Sequence, residues 1–192
     1  MKKIRKKAFT LVEILAVISI IAVLAGMTVG VSALVMRKSA DTKTLAAMKN
    51  VEIALERFRA ANGYYPPSRG GAISIFRFEK APSAGSHEAA LSKLFDEKFR
   101  SASTKSITIS GTEWLYIVDG YGNPLIYRCP GHFSRGKYDL GSMGKDGKFG
   151  DGAGESPGID GTTGAFKNPL DVQTDFTGNF GKGDDLTNFT RQ

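Results

Sequence analysis

The side chains whose placement could do chemistry in this chain are carboxylates. Glu13 stands inside an otherwise apolar run, FTLVEILAVISIIAVLAGMTVGVSALVM, from Phe9 to Met36. A carboxylate at membrane depth is costly and marks a function. An ammonium group would answer it, and such a pair in low dielectric is strong only when both members are present. The second concentration of carboxylates lies at the other end. Residues 139–192 contain eight aspartates (Asp139, Asp146, Asp151, Asp160, Asp171, Asp175, Asp184 and Asp185) among many glycines. Hard carboxylate and carbonyl oxygens gathered on sharp turns suit Ca²⁺, which takes about six to eight of them. The alternative is a flexible, polar Gly/Asp-rich tail that holds no ion. An EF-hand is excluded because its D-x-D-x-D-G pattern is absent. Gly141–Phe149 partly fits a calcium-binding nonapeptide, but a single copy builds no β-roll.

The other reactive residue types form no catalytic constellation. The single cysteine, Cys129, makes no intrachain disulfide and reads as a small buried hydrophobe. His87 and His132 have no neighbouring His or Cys at metal-ligand spacing. Patterns of the Walker A and H-E-x-x-H kinds are missing. The net charge of +7 is concentrated in Lys2, Lys3, Arg5, Lys6 and Lys7; without Met1–Ala8 it falls to +2. No later basic stripe is interleaved with aromatics, so the charge is a targeting signal and not a nucleic-acid surface.

Positioning Glu13 falls to one long helix. Ile14 to Met36 carries no charge over 23 residues, about 35 Å as a helix and enough for a bilayer core of about 30 Å. The flanking lysines hold the amino terminus on the cytoplasmic side. A secretory signal cleaved after Ala25 is the rival. Against it stand Glu13 and the apolar run that continues to Met36. Beyond it Leu45, Met48, Val51, Leu55 and Phe58 recur at helical spacing, and no proline interrupts Phe9 to Tyr65. The pattern predicts a helix from Phe9 to Ala61, ended by Asn62-Gly63 and Pro66-Pro67. A short strand is expected within Ile73–Phe78 and a short helix over Glu88–Phe95. Glu113–Val118 and Leu125–Arg128, around a turn, read as an antiparallel meander, with Tyr138–Leu140 the next strand.

The basic leader, Ala8 and Phe9-Thr10-Leu11-Val12-Glu13 together resemble the class III prepilin signal of type IV pilins and type II secretion pseudopilins. The resemblance implies cleavage between Ala8 and Phe9 by a prepilin peptidase that also N-methylates Phe9, with Ala8 where the family has Gly. It implies further that Glu13, fifth in the mature chain, neutralises the terminal amine of a neighbouring subunit and so selects an axial stagger. The plainer alternative is a Glu13 that serves only its own helix N-terminus.

The segment Asp119-Gly-Tyr-Gly-Asn-Pro-Leu-Ile-Tyr-Arg128 resembles the D-P-W-G-N-P-Y-x-Y motif of major type II secretion pseudopilins. Tyr138–Gly147 resembles their Y-D-L-x-S-x-G-x-D-G loop, and Asp184-Asp185-Leu186-Thr187-Asn188-Phe189 their terminal D-D-I-x-N-W. Gly120, Tyr121 and Phe189 stand where the family has Pro, Trp and Trp, and Gly150–Lys182 is a longer connection than the family's. This likeness implies a calcium ion held by Ser142, Asp184, Asp185 and a backbone carbonyl near Leu140, with Asp146 as a further candidate.

The expected fold class is α+β, a long N-terminal helix packed by its second half on a small antiparallel sheet. The expected divisions are a cleaved leader (1–8), a transmembrane assembly segment (9–36), the amphipathic half of the same helix (37–62) and a periplasmic domain (63–192). The expected function is that of a non-enzymatic subunit, anchored in the inner membrane and then assembled into the periplasmic pseudopilus of a type II secretion system. Its expected partners are the prepilin peptidase/N-methyltransferase, copies of itself, minor pseudopilins and the inner-membrane assembly platform. The alternative is a type IV pilin or minor pilin for adhesion or DNA uptake.

Overall fold

The computed structural model describes residues 10–68, 74–84, 87–150, 166, 176 and 178–189, with the side chains of 27–33 and 87–88 also outside the description. The long helix α1 runs over Leu11–Asn62, close to the bounds expected. It ends where the Gly63 amide donates to the Arg59 carbonyl at 2.7 Å. The chain divides into two compact units, Met1–Ser39 and Ala40–Gln192.

In the first unit Ile14, Leu15, Val17 and Ile18 point in different directions around the helix, and each is at least half exposed. A helix apolar on every face belongs in lipid or among other helices. Among the described residues no helix is long and apolar enough to cross a membrane. The uncharged run Ile14–Met36 contains residues 27–33, whose side chains are not described.

In the second unit one face of α1 is buried: Thr44, Ala47, Met48, Val51, Leu55 and Phe58. The expected stripe therefore shifts by one residue at its start. Leu45 is 54% exposed, and Thr44 takes the buried position because its hydroxyl has two partners. It donates to the Ala40 carbonyl at 2.9 Å and accepts the Gly120 amide at 2.9 Å.

Two antiparallel sheets follow. One contains β2 (Arg77–Glu79), β3 (Thr104–Ile109) and β4 (Thr112–Ile117), in the order β2-β4-β3. The other contains β1 (Ser74–Ile75), β5 (Ile126–Arg128), β6 (Asp139–Ser142) and β7 (Leu186–Thr187), in that order. Helices α2 (His87–Lys93) and α3 (Glu97–Ser103) lie between β2 and β3 in sequence.

The simple meander does not form. The two runs proposed as neighbours, β4 and β5, belong to different sheets and meet only at the Val118–Pro124 bridge and a Leu125 to Ile117 bond of 2.9 Å. The single strand expected near residue 75 is likewise split at Phe76. Its amide bonds Leu125 while its carbonyl accepts Ile117, so Phe76 stitches the sheets together.

Side chains alternate across the four-stranded sheet. Leu125, Tyr127 and Leu140 join the helix stripe, with Phe78, Leu115 and Ile117 from the other sheet, in the main core. Ile75 and Ile126 point the other way, into a second cluster with Met143, Phe149, Phe176 and Phe180. The sheet is thus covered on both faces.

Gly120 marks the closest approach of the β4–β5 turn to α1. A Cβ there would lie 2.1 Å from the Ala40 carbonyl oxygen, so Gly120→Ala should lower stability by about 1–3 kcal/mol, as overpacking does. Thermal denaturation checks it; an unchanged melting temperature would contradict the packing described. Cys129 is buried and free, and burial pushes its thiol pKa up. A thiol reagent at pH 8 should therefore label it slowly in the folded chain and rapidly after denaturation. Equal rates would show that the site is open.

Candidate functional sites at the helix start and the acidic loops

The helix start is built by Thr10 and Glu13. Glu13 Oε2 accepts both the Thr10 amide and the Thr10 hydroxyl at 2.8 Å, and the Glu13 amide donates back to Thr10 Oγ1 at 3.3 Å. This reciprocal arrangement is a capping box, which satisfies amides that the first helical turn leaves without carbonyl partners. In the single chain, then, Glu13 serves its own helix. The T-x-x-E spacing that signals such a box is readable in Thr10–Glu13. Ala8 and Phe9 lie outside the described residues.

The acidic site lies on the loops around β6 and β7. Asp184 Oδ2 accepts the amides of Lys145 at 2.7 Å and Asp146 at 3.4 Å. Asp146 Oδ1 accepts the Lys148 amide at 2.9 Å. Asp185 Oδ2 accepts Gly150 at 2.8 Å and Gly181 at 2.9 Å, whereas its Oδ1 is buried and has no hydrogen-bond partner. Burial above all pushes Asp185 up to about 7; the Gly181 and Gly150 amides oppose this, and the charges of Asp184 and Asp146 add to it. Gly144 is required beside Asp184, since a Cβ at its φ of +62° would meet the Asp184 carbonyl oxygen at 2.4 Å.

Of the five residues named as candidate ligands, the structure draws Asp146, Asp184 and Asp185 together on one loop cluster. The other two have partners within the sheet and turn. The Leu140 carbonyl accepts the Asn188 amide at 3.0 Å, and Ser142 Oγ donates to Asp119 Oδ2 at 2.6 Å while accepting the Gly144 amide at 3.0 Å. Among the described residues no group of three or more His, Cys, Asp or Glu side chains is arranged as a ready metal site. The donor chemistry nonetheless fits a hard cation: a buried carboxylate oxygen without a partner, further carboxylates nearby, and a glycine-rich loop whose carbonyls can contribute.

Sequence reasoning missed the residues that connect these parts. Asp119 is buried, and its Oδ1 accepts the amides of Tyr121 and Asn123 at 2.9 and 2.8 Å. Asn123 donates in turn to the Gly144 carbonyl at 2.8 Å, and the Tyr121 hydroxyl donates to Asp41 on α1 at 2.5 Å. The D-x-x-G-N motif is therefore a joint between helix, turn and acidic loop. Asp139 and Asn188 are similar in kind. The first gathers the amides of His132, Phe133 and Ser134, and the second ties the tail to β6 through Leu140.

The family described as the prokaryotic N-terminal methylation motif matches residues 3–29, around the capped helix start. The family of type II secretion system protein G matches residues 72–162, across both sheets and into the acidic loop. By these two matched segments the chain is similar to type II secretion system protein G preceded by an N-terminal methylation motif. This pilin-like chain is 28% identical over 153 residues to the type II secretion system core protein G of Pseudomonas aeruginosa, covering 78% of the chain and 91% of that relative. It is also 28% identical over 150 residues to the core protein G of Aeromonas hydrophila, covering 78% and 90%. No solved structure matches it. The α+β arrangement, with the N-terminal helix packed on antiparallel sheets, is that of a pilin-like subunit.

Proposed function

We propose that this pilin-like chain is a structural subunit of the periplasmic pseudopilus of a type II protein secretion system. The observation that carries this reading is the union, on one chain, of the methylation-motif segment with a protein G domain. Prepilin peptidase cuts before Phe9 and methylates it, and the apolar part of α1 anchors the subunit in the inner membrane with the sheets in the periplasm. Polymerisation replaces lipid around that helix with neighbouring helices. Glu13 then exchanges its own cap for the amine of a neighbour, which sets the stagger. The inner-membrane platform and minor pseudopilins are the other partners, and the chain's task is mechanical, with no catalytic step.

A calcium ion belongs to the same proposal. Asp185 Oδ1, Asp184 and Asp146 would hold it, with a backbone carbonyl near Leu140 and Ser142 as the remaining family positions. When bound, it would neutralise carboxylates that the chain alone leaves poorly compensated and fix loops that no disulfide ties.

Deleting the gene tests the function. Loss of export of the secretion substrates, with surface pili, adhesion and DNA uptake intact, is expected. Intact export with lost pili would favour the type IV pilin alternative instead.

A further inference from the structure

Arg128 is a cation set against an aromatic core with no counter-charge among the described residues. It ends β5, and because side chains alternate along a strand it shares with Ile126 the face of the sheet that carries the second core. Its guanidinium carbon lies 5.8 Å from the centre of the buried Phe176 ring. Nε and Nη1 are buried without a hydrogen-bond partner, while the residue as a whole is half-buried and so remains reachable from outside. The neighbour opposite on β6 is Asp139, but its two oxygens accept the amides of His132, Phe133 and Ser134. No described carboxylate forms an ion pair with Arg128.

A guanidinium cannot shed its charge as a buried lysine can. Burying it unpaired is costly, and a ring face offsets only part of that cost. Its planar donors fit a carboxylate. We infer that Arg128 is a carboxylate-binding site filled on entry into a filament, the carboxylate being a side chain of a neighbouring copy of this chain. This rests on the filament reading above, in which assembly holds copies together at high effective concentration. Exposed acids stand on the surface of each copy, Glu97 in the first turn of α3 among them. Glu13 has its own cap to serve in the single chain; Arg128 has no such substitute among the described residues. The lone subunit thus carries an unfavourable group that the filament relieves, and removing the charge acts with opposite signs on the two.

Arg128→Met tests this, because methionine keeps an unbranched stem for Phe176 and loses the charge. The full-length variant in detergent micelles should melt no lower than the parent. Its filament yield, at equal subunit level in the membrane, should nevertheless fall about tenfold, as the neighbour's carboxylate loses its partner. Arg128→Lys keeps the charge without the planar donors and should recover part of that yield. A clear drop in the melting temperature of the Arg128→Met subunit would place the carboxylate within the same chain and overturn the inference. Equal assembly by Arg128→Met and Arg128→Lys would overturn the role of charge. Normal yield from Arg128→Met would overturn the site and leave the pseudopilus reading standing; a parent chain that forms no filament would overturn both.

Discussion

Glu13→Ala should insert into the membrane as the parent does and fail to build filaments, with assembled subunit falling by at least about tenfold. Insertion survives because the substitution removes a charge from an apolar helix, and a charge at membrane depth is the unfavourable element. Assembly fails for a different reason. Removing one partner of a buried pair leaves the other uncompensated, at a cost of about 3–5 kcal/mol. The capping box adds a second loss, since Glu13 also secures the Thr10 amide and hydroxyl; a lost cap costs about 0.5–2 kcal/mol. Glu13→Gln separates the two. Glutamine at this position can still close a capping box, but it has no charge to offer an amine. Glu13→Gln should therefore fail in assembly nearly as badly as Glu13→Ala. Normal filament yield from Glu13→Gln would mean that the side chain's task is its own helix start.

Calcium should raise the melting temperature of the full chain in micelles, and Asp184→Ala with Asp185→Ala should abolish the rise. At a hundred times Kd the linkage is about 2.7 kcal/mol, or roughly 5–10 °C for a domain of this size. The double substitution also removes four backbone bonds, from Lys145, Asp146, Gly150 and Gly181, so the variant should melt lower in chelator too. The diagnostic quantity is therefore the difference between calcium and chelator in each protein. A parent chain that melts at one temperature in both would contradict the calcium reading.

The helix was legible because its signals are local. Its apolar run, its amphipathic continuation and the Asn62-Gly63 stop fix α1 to within two residues at either end. Sheet membership was not, because it depends on pairing between distant residues. Nothing near Phe76 announces that its two neighbours enter different sheets, a choice made by partners some 40–50 positions later. The β3–β4 hairpin was readable and overlooked: Ser110-Gly111, both at positive φ, is a two-residue turn of the kind that suits a twisted hairpin. At the acidic loops, composition pointed to Asp184 and Asp185 but not to their separate bonds. The roles of Asp119, Asn123 and Asn188 arise from buried backbone groups on other segments, which no spacing within their own motif reveals.

The central claim is that the chain enters a filament by the prepilin route, and the mature amino terminus tests it most directly. Mass spectrometry of the protein recovered from membranes should find N-methyl-Phe9 as its first residue. A mature chain beginning at Gly26 would contradict the account, because it would have lost Glu13 and the apolar half of α1 on which assembly depends.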